Sequence, residues 1–100
     1  MKVEIPFRDD MKQAIIDGRK TCTSRNKRYG VIGDTFDING NSYVLKWVSH
    51  VHLNFVAENC YRHEGFRNPY EFINAWRKIH PRKGYVPDQP VWLHEFELVK

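Results

Sequence analysis

Apolar and polar residues change rhythm several times along this chain, and each change predicts an element. After a short apolar start, Asp9 or Asp10 is placed to cap a helix carrying Met11, Ala14 and Ile15 at helical spacing, and Gly18 stands where a helix end favours a left-handed residue. Residues 21 to 25, Thr-Cys-Thr-Ser-Arg, lean towards strand, and residues 29 to 33 have turn chemistry. Asp34 to Ile38 and Ser42 to about His52 predict two strands, joined by a tight hairpin because the Asn39-Gly40 pair tolerates positive backbone φ. On the second strand, alternation sends Tyr43, Leu45, Trp47, Ser49 and Val51 to one side and Val44, Lys46, Val48, His50 and His52 to the other.

The second half continues in the same way. Leu53 to about Tyr61 predicts a helix. Asn68-Pro69-Tyr70-Glu71 is a helix start, with Asn as cap, Pro in the first turn and Glu able to reach back, and it carries Phe72, Ile73, Trp76 and Ile79 on one face before His80-Pro81 ends it. A closing strand over residues 91 to 99 sets Trp92, His94, Phe96 and Leu98 against Glu95 and Glu97, so it should be half-buried. Strands that do not alternate regularly with helices argue against a parallel βαβ sheet. The pattern predicts an α+β fold, a small barrel of about five or six strands with two or three short helices, forming a single domain over residues 1–100. The periodic aromatics Trp47, Phe72, Trp76, Trp92 and Phe96 are assigned to its core.

Composition narrows the class. A hydrophobic share of 41% in 100 residues closes one small core, and is too large for a disordered chain. No window approaches the ~18 consecutive apolar residues of a membrane span, and the first residues lack the apolar core of a signal peptide. A cytoplasmic protein without membrane partners is therefore expected. Cys22 and Cys60 are then expected to be free thiols.

The net charge of +4 matters because it is concentrated. Arg19, Lys20, Arg25, Lys27 and Arg28 fall within ten residues that hold no acid, and Arg77, Lys78, Arg82 and Lys83 form a second acid-free stretch. Lys and Arg displace the counterions condensed on phosphate, while aromatic faces stack bases, so these stretches with Tyr29, Tyr61, Phe66 and Tyr85 beside them fit a polyanion-binding surface. The plain reading is a solvated basic surface.

The densest chemistry lies in Gly18-Arg19-Lys20-Thr21-Cys22-Thr23-Ser24-Arg25. Strict alternation puts Thr21, Thr23 and Arg25 on one face and Lys20, Cys22 and Ser24 on the other. Lys20 and Thr23 meet only if the lysine, at the junction with the helix, swings across; an amine beside a hydroxyl is then a base beside a nucleophile. His50, His52, Cys60 and His63 are the one conceivable metal set, but their spacing matches no ligand signature, and no metal or other cofactor is expected. His94, on the apolar face of its strand, reads as a satisfied core histidine.

The run Gly18-x-Lys20-x-x-Thr23-x-Arg25 after a short helix, followed by Gly33-Asp34 opening a strand, resembles the ASCH domain, a small PUA-like β-barrel associated with RNA. The resemblance extends from Phe7 to Leu93-His94-Glu95-Phe96. It is similar in particular to a branch of stand-alone ASCH proteins that remove the acetyl group from N(4)-acetylcytidine with a Lys, a Thr and a Glu. Those fall on Lys20, Thr23 and Glu64 here. The resemblance implies amide cleavage in which Thr23 attacks, Lys20 takes its proton and Glu64 serves the leaving amine, with Arg25 or backbone amides near Gly18 at the oxyanion. From the basic stretches and the aromatic beside them, Arg19, Arg25, Lys27, Arg28, Tyr29, Arg82 and Lys83 are the candidate contacts to RNA or a modified nucleoside. The hairpin, the surroundings of Glu64 and the segment from Arg77 to Pro87 depart from that branch. Two alternatives stand beside hydrolysis of an acylated cytidine: a non-catalytic module reading a single-stranded or modified base, and a ribonuclease using His63, His80 and Lys20.

Overall fold

The computed structural model describes residues 1–100. Its elements run α1 (Asp9–Ile16), β1 (Cys22–Arg25), β2 (Thr35–Ile38), β3 (Asn41–His52), α2 (Leu53–Asn59), α3 (Pro69–Ile79) and β4 (Pro90–Leu98). The strands form one curled antiparallel sheet in the order β1-β4-β3-β2, an open half-barrel. The α+β architecture is as expected, with four strands instead of five or six. The first residues contribute only a single parallel bridge, Lys2 to Thr35, and Lys20 and Glu64 a single antiparallel one.

The local signals act as their chemistry dictates. Asn39 and Gly40 have φ of 49° and 86°, the double positive angle of a tight hairpin whose twist suits its strands, and they join β2 to β3 with Ile38 opposite Asn41. Asn68 caps α3 by accepting from the Glu71 backbone N–H at 2.9 Å. Glu71 does reach back, but to Arg67: it accepts from the Arg67 backbone N–H at 2.8 Å and from its guanidinium at 2.7 Å. In α1 the aspartates are not the cap, which is Arg8; they lie in the first turn, where carboxylates complement the helix dipole.

Two cores share the sheet. One gathers Leu53, Val56 and Ala57 of α2 and Phe72 and Trp76 of α3 over Cys22, Val91 and Leu93. The other packs Ile5 and Ile15 against Phe36, Ile38, Tyr43, Leu45 and Phe96, with the Phe36 and Phe96 rings edge to face at 5.1 Å. β4 is accordingly buried on both faces in its middle, where a half-buried strand was expected. Val91 and Leu93 serve the first core and Phe96 the second, while Leu98 is exposed.

A β-bulge in β3 supplies the main correction. Leu45 pairs with Phe96 but Trp47 pairs with Glu95, so Lys46 is an extra residue and the alternation changes phase there. Before the bulge Tyr43 and Leu45 point to the second core; beyond it Val48 does so and Val51 packs on the first. Trp47, assigned to the core by unbroken alternation, is instead 57% exposed. Trp92 is only half-buried, its ring stacked on His50 at 4.3 Å.

Candidate functional site

α1 ends at Gly18, whose φ of 79° only glycine adopts freely. The Arg19 and Lys20 amides both bond back to the Ala14 carbonyl. This tight exit delivers Lys20 to the sheet edge opposite Glu64, and Gly65, with φ of 98°, turns the chain away directly after that residue. The two side chains meet: Lys20 Nζ lies 2.9 Å from Glu64 Oε1 and also donates to the Glu64 carbonyl at 3.1 Å, with each side chain only 4% exposed. The other carboxylate oxygen, Oε2, accepts from the Ser24 hydroxyl at 2.6 Å.

Ser24 is not among the residues that the resemblance implies. The signal for it is nonetheless present, since strict alternation places Lys20 and Ser24 on one face. Thr23, on the opposite face, is buried too, and its Oγ1 accepts from Arg25 Nε at 3.1 Å. Thr23 and Lys20 share no hydrogen bond. Arg25 also donates to the Pro6 carbonyl at 2.6 Å and lies over the rings of Phe7 and Tyr29 at 4.8 and 5.4 Å, and burial pulls its guanidinium below the ordinary value.

These groups line one cleft of about 560 Å³. Its lining joins the polar Lys20, Thr23, Ser24, Arg25 and Glu64 to Asn26, Lys27, Tyr29 and His80 and to the apolar Phe66, Phe72, Ala75, Trp76 and Ile79. Lys27 Nζ sits 4.7 Å from the Tyr29 ring centroid, and both residues line the cleft. The remaining sequence candidates lie outside. Arg19 pairs with Asp17, Arg28 lies over Trp92, and Arg82 and Lys83 are exposed on the loop after α3. Of the proposed stacking aromatics, Tyr61 and Tyr85 pack on the first core instead.

The histidines separate clearly. His94 is fully buried with both ring nitrogens engaged: Nε2 accepts from the Tyr29 backbone N–H at 3.0 Å, which leaves Nδ1–H to face the Thr23 carbonyl at 3.3 Å. Burial pushes its pKa down, favouring this neutral form. It is the core histidine expected, tying Tyr29 and β1 to β4. His80 lines the cleft, stacked on Trp76 at 4.2 Å, whereas His63 lies outside it beside Thr21. His50, His52, Cys60 and His63 do not converge into a group of three ligands. Cys22 and Cys60 are free thiols, and burial pushes both up, Cys22 strongly.

The curled sheet, with helices on it and a cleft at the β1 edge, makes an α+β half-barrel. The chain is similar to the ASCH domain from Lactobacillus crispatus JV V101, with a TM-score of 0.78 and 14% identity over 97% of this chain and 78% of that one. It is similar to hypothetical protein PH0355, TM-score 0.75 and 16% identity, over 99% of this chain and 100% of that chain. Protein EF3133 from Enterococcus faecalis V583 matches with a TM-score of 0.63 and 21% identity, over 90% of this chain and 70% of that one. No family model and no curated protein matches the sequence. The fold is that of an ASCH domain.

Proposed function

We propose that the cleft binds a base of RNA or a modified nucleoside and that Lys20, Thr23 and Glu64 hydrolyse an acyl amide on it, with N(4)-acetylcytidine as the model substrate. The observation that carries this reading is the buried Lys20–Glu64 pair in the lining of a cleft that also presents apolar side chains. Desolvating two charges is costly, and a fold of this size gains nothing from them that apolar residues would not supply. Moving one proton along the 2.9 Å bond turns the pair into an amine and a carboxylic acid, the base and acid that amide cleavage needs.

Thr23 suits the nucleophile because its proton is uncommitted: its oxygen accepts from Arg25, whereas the Ser24 proton is already given to Glu64. Thr23 Oγ1 bonds to the acyl carbon as its proton passes to Lys20 Nζ. The C–N bond breaks as Glu64 protonates the departing amine, and water then hydrolyses the acyl ester to free Thr23. Hydrogen bonds between catalytic groups tighten when substrate binds, so the absence of a Lys20–Thr23 bond in the free protein is compatible with this order. Ser24 acts as a positioning residue for Glu64.

The test is incubation with acylated and unmodified nucleosides and short RNAs carrying them, read by mass spectrometry. Loss of the acyl group is expected from wild type and not from Thr23→Val. Binding without turnover makes the cleft a reader pocket, the reading supported by Arg25, Lys27 and Tyr29 in its lining. Absence of both overturns the proposal.

A further inference from the structure

Arg25, Trp92 and His50 form a row across the sheet. Trp92 of β4 stands opposite Arg25 of β1 on one side and opposite His50 of β3 on the other, and residues opposed in this way share a face. The row starts at the cleft, which Arg25 lines, and extends about two strand spacings, roughly 10 Å, away from it. The Trp92 and His50 rings stack at 4.3 Å with 4° between their planes, and the Arg28 guanidinium sits 5.6 Å from the Trp92 centroid. Neither ring belongs to the two cores; Trp92 is half-buried and His50 is exposed.

Charge follows the same row. None of the ion pairs of the chain involves Arg25, Lys27 or Arg28, so three cations within four residues are left without a carboxylate. At the far end, Glu58 lines a hollow with His50 and His52, and its carboxylate limits the cationic strip there.

We infer that this row carries the nucleotide next to the base in the cleft, with its base stacked on the His50 ring and its phosphate at Arg28. The inference rests on the proposed function and makes its substrate a strand of RNA rather than a free nucleoside. An acidic peptide would satisfy the cations but offers nothing to lie on the rings, whereas every base has a face that stacks. The imidazole is already held flat on Trp92, so stacking on it costs little further side-chain ordering. The flanking base is thus held without being read.

The experiment compares three probes: N(4)-acetylcytidine, a pentanucleotide RNA with that residue at its centre, and the same strand with abasic sites on either side of it. Affinities are measured on Thr23→Val protein, so that nothing is hydrolysed. The intact strand should bind at least about 5-fold more tightly than the abasic one, the lower end of what one stacked base contributes. His50→Ala in the same background should abolish that difference, and His50→Tyr, which keeps a ring, should preserve it. Equal affinity for the intact and abasic strands means that the row supplies charge alone, as it would to an acidic peptide. A difference that His50→Ala leaves untouched places the stacking elsewhere. Either result overturns the inference, while binding of N(4)-acetylcytidine leaves the proposed function standing. If none of the three probes binds, both fall together.

Discussion

Lys20 and Glu64 are joined twice, by a backbone bridge between sheet edge and loop and by a 2.9 Å ion pair between side chains that are both 4% exposed. Removing one partner leaves an uncompensated buried charge. Lys20→Met or Glu64→Leu alone should therefore cost about 3–5 kcal/mol, while the double variant should recover most of that loss. Urea denaturation of the two singles and the double checks this. Additive losses would mean that the charges act independently, and the chemistry proposed for the pair would lose its basis.

The two adjacent hydroxyls should behave differently. Thr23→Val keeps the shape of a buried side chain and should abolish turnover. Ser24→Ala removes a bond to Glu64 Oε2 without touching the nucleophile, so kcat should fall less and its pH profile should shift. Turnover measured against pH separates them. A fully active Thr23→Val with an inactive Ser24→Ala would transfer the nucleophile to Ser24.

RNA affinity should depend on which basic stretch is neutralised. Lys27 lines the cleft and its neighbour in sequence, Arg28, lies over Trp92, whereas Arg82 and Lys83 are on the loop after α3, outside the cleft. Lys27→Ala with Arg28→Ala should flatten the slope of log affinity against log salt by roughly 0.7 for each phosphate of a single strand that is no longer neutralised. Arg82→Ala with Lys83→Ala should leave the slope unchanged. The reverse result would put the strand on the far loop.

His94 predicts an acid-sensitive fold. Its folded pKa lies below the ordinary 6.5, chiefly through burial, so below that value the unfolded chain binds more protons than the folded one. Stability should be fully present above pH 6.5 and decline as the pH falls towards the folded value. His94→Gln should be less stable at pH 7 but show a shallower decline between pH 7 and 5. Denaturation midpoints at several pH values measure this, and parallel curves would remove His94 as the cause.

What is readable from sequence is what neighbouring residues decide among themselves. Asn39-Gly40, Asn68-Pro69 and Gly18 fix their turns and caps locally, and the helix and strand rhythms follow. The bulge at Lys46 is not readable, because only pairing with Glu95 and Phe96 on β4 decides where the extra residue sits, and with it goes the placement of Trp47. In the site, alternation correctly puts Lys20 and Ser24 on one face. Glu64, forty residues further on, carries no local sign of its partners; resemblance alone finds it, while pointing to Thr23 and passing over Ser24.

The position of the Lys20–Glu64 bridge also bears on self-association. β1 and β2, the two outer strands, are each four residues long, and an unpaired strand edge is a template on which a second chain can add. Each is flanked by a single isolated bridge, Lys2 to Thr35 at β2 and Lys20 to Glu64 at the start of β1, which withdraws part of the outer backbone from further pairing. The groups that line the cleft are thus also part of the seal on one end of the sheet. Substitutions that spread the cleft to admit bulkier ligands would lengthen an open edge, and wider specificity would come with a tendency to aggregate.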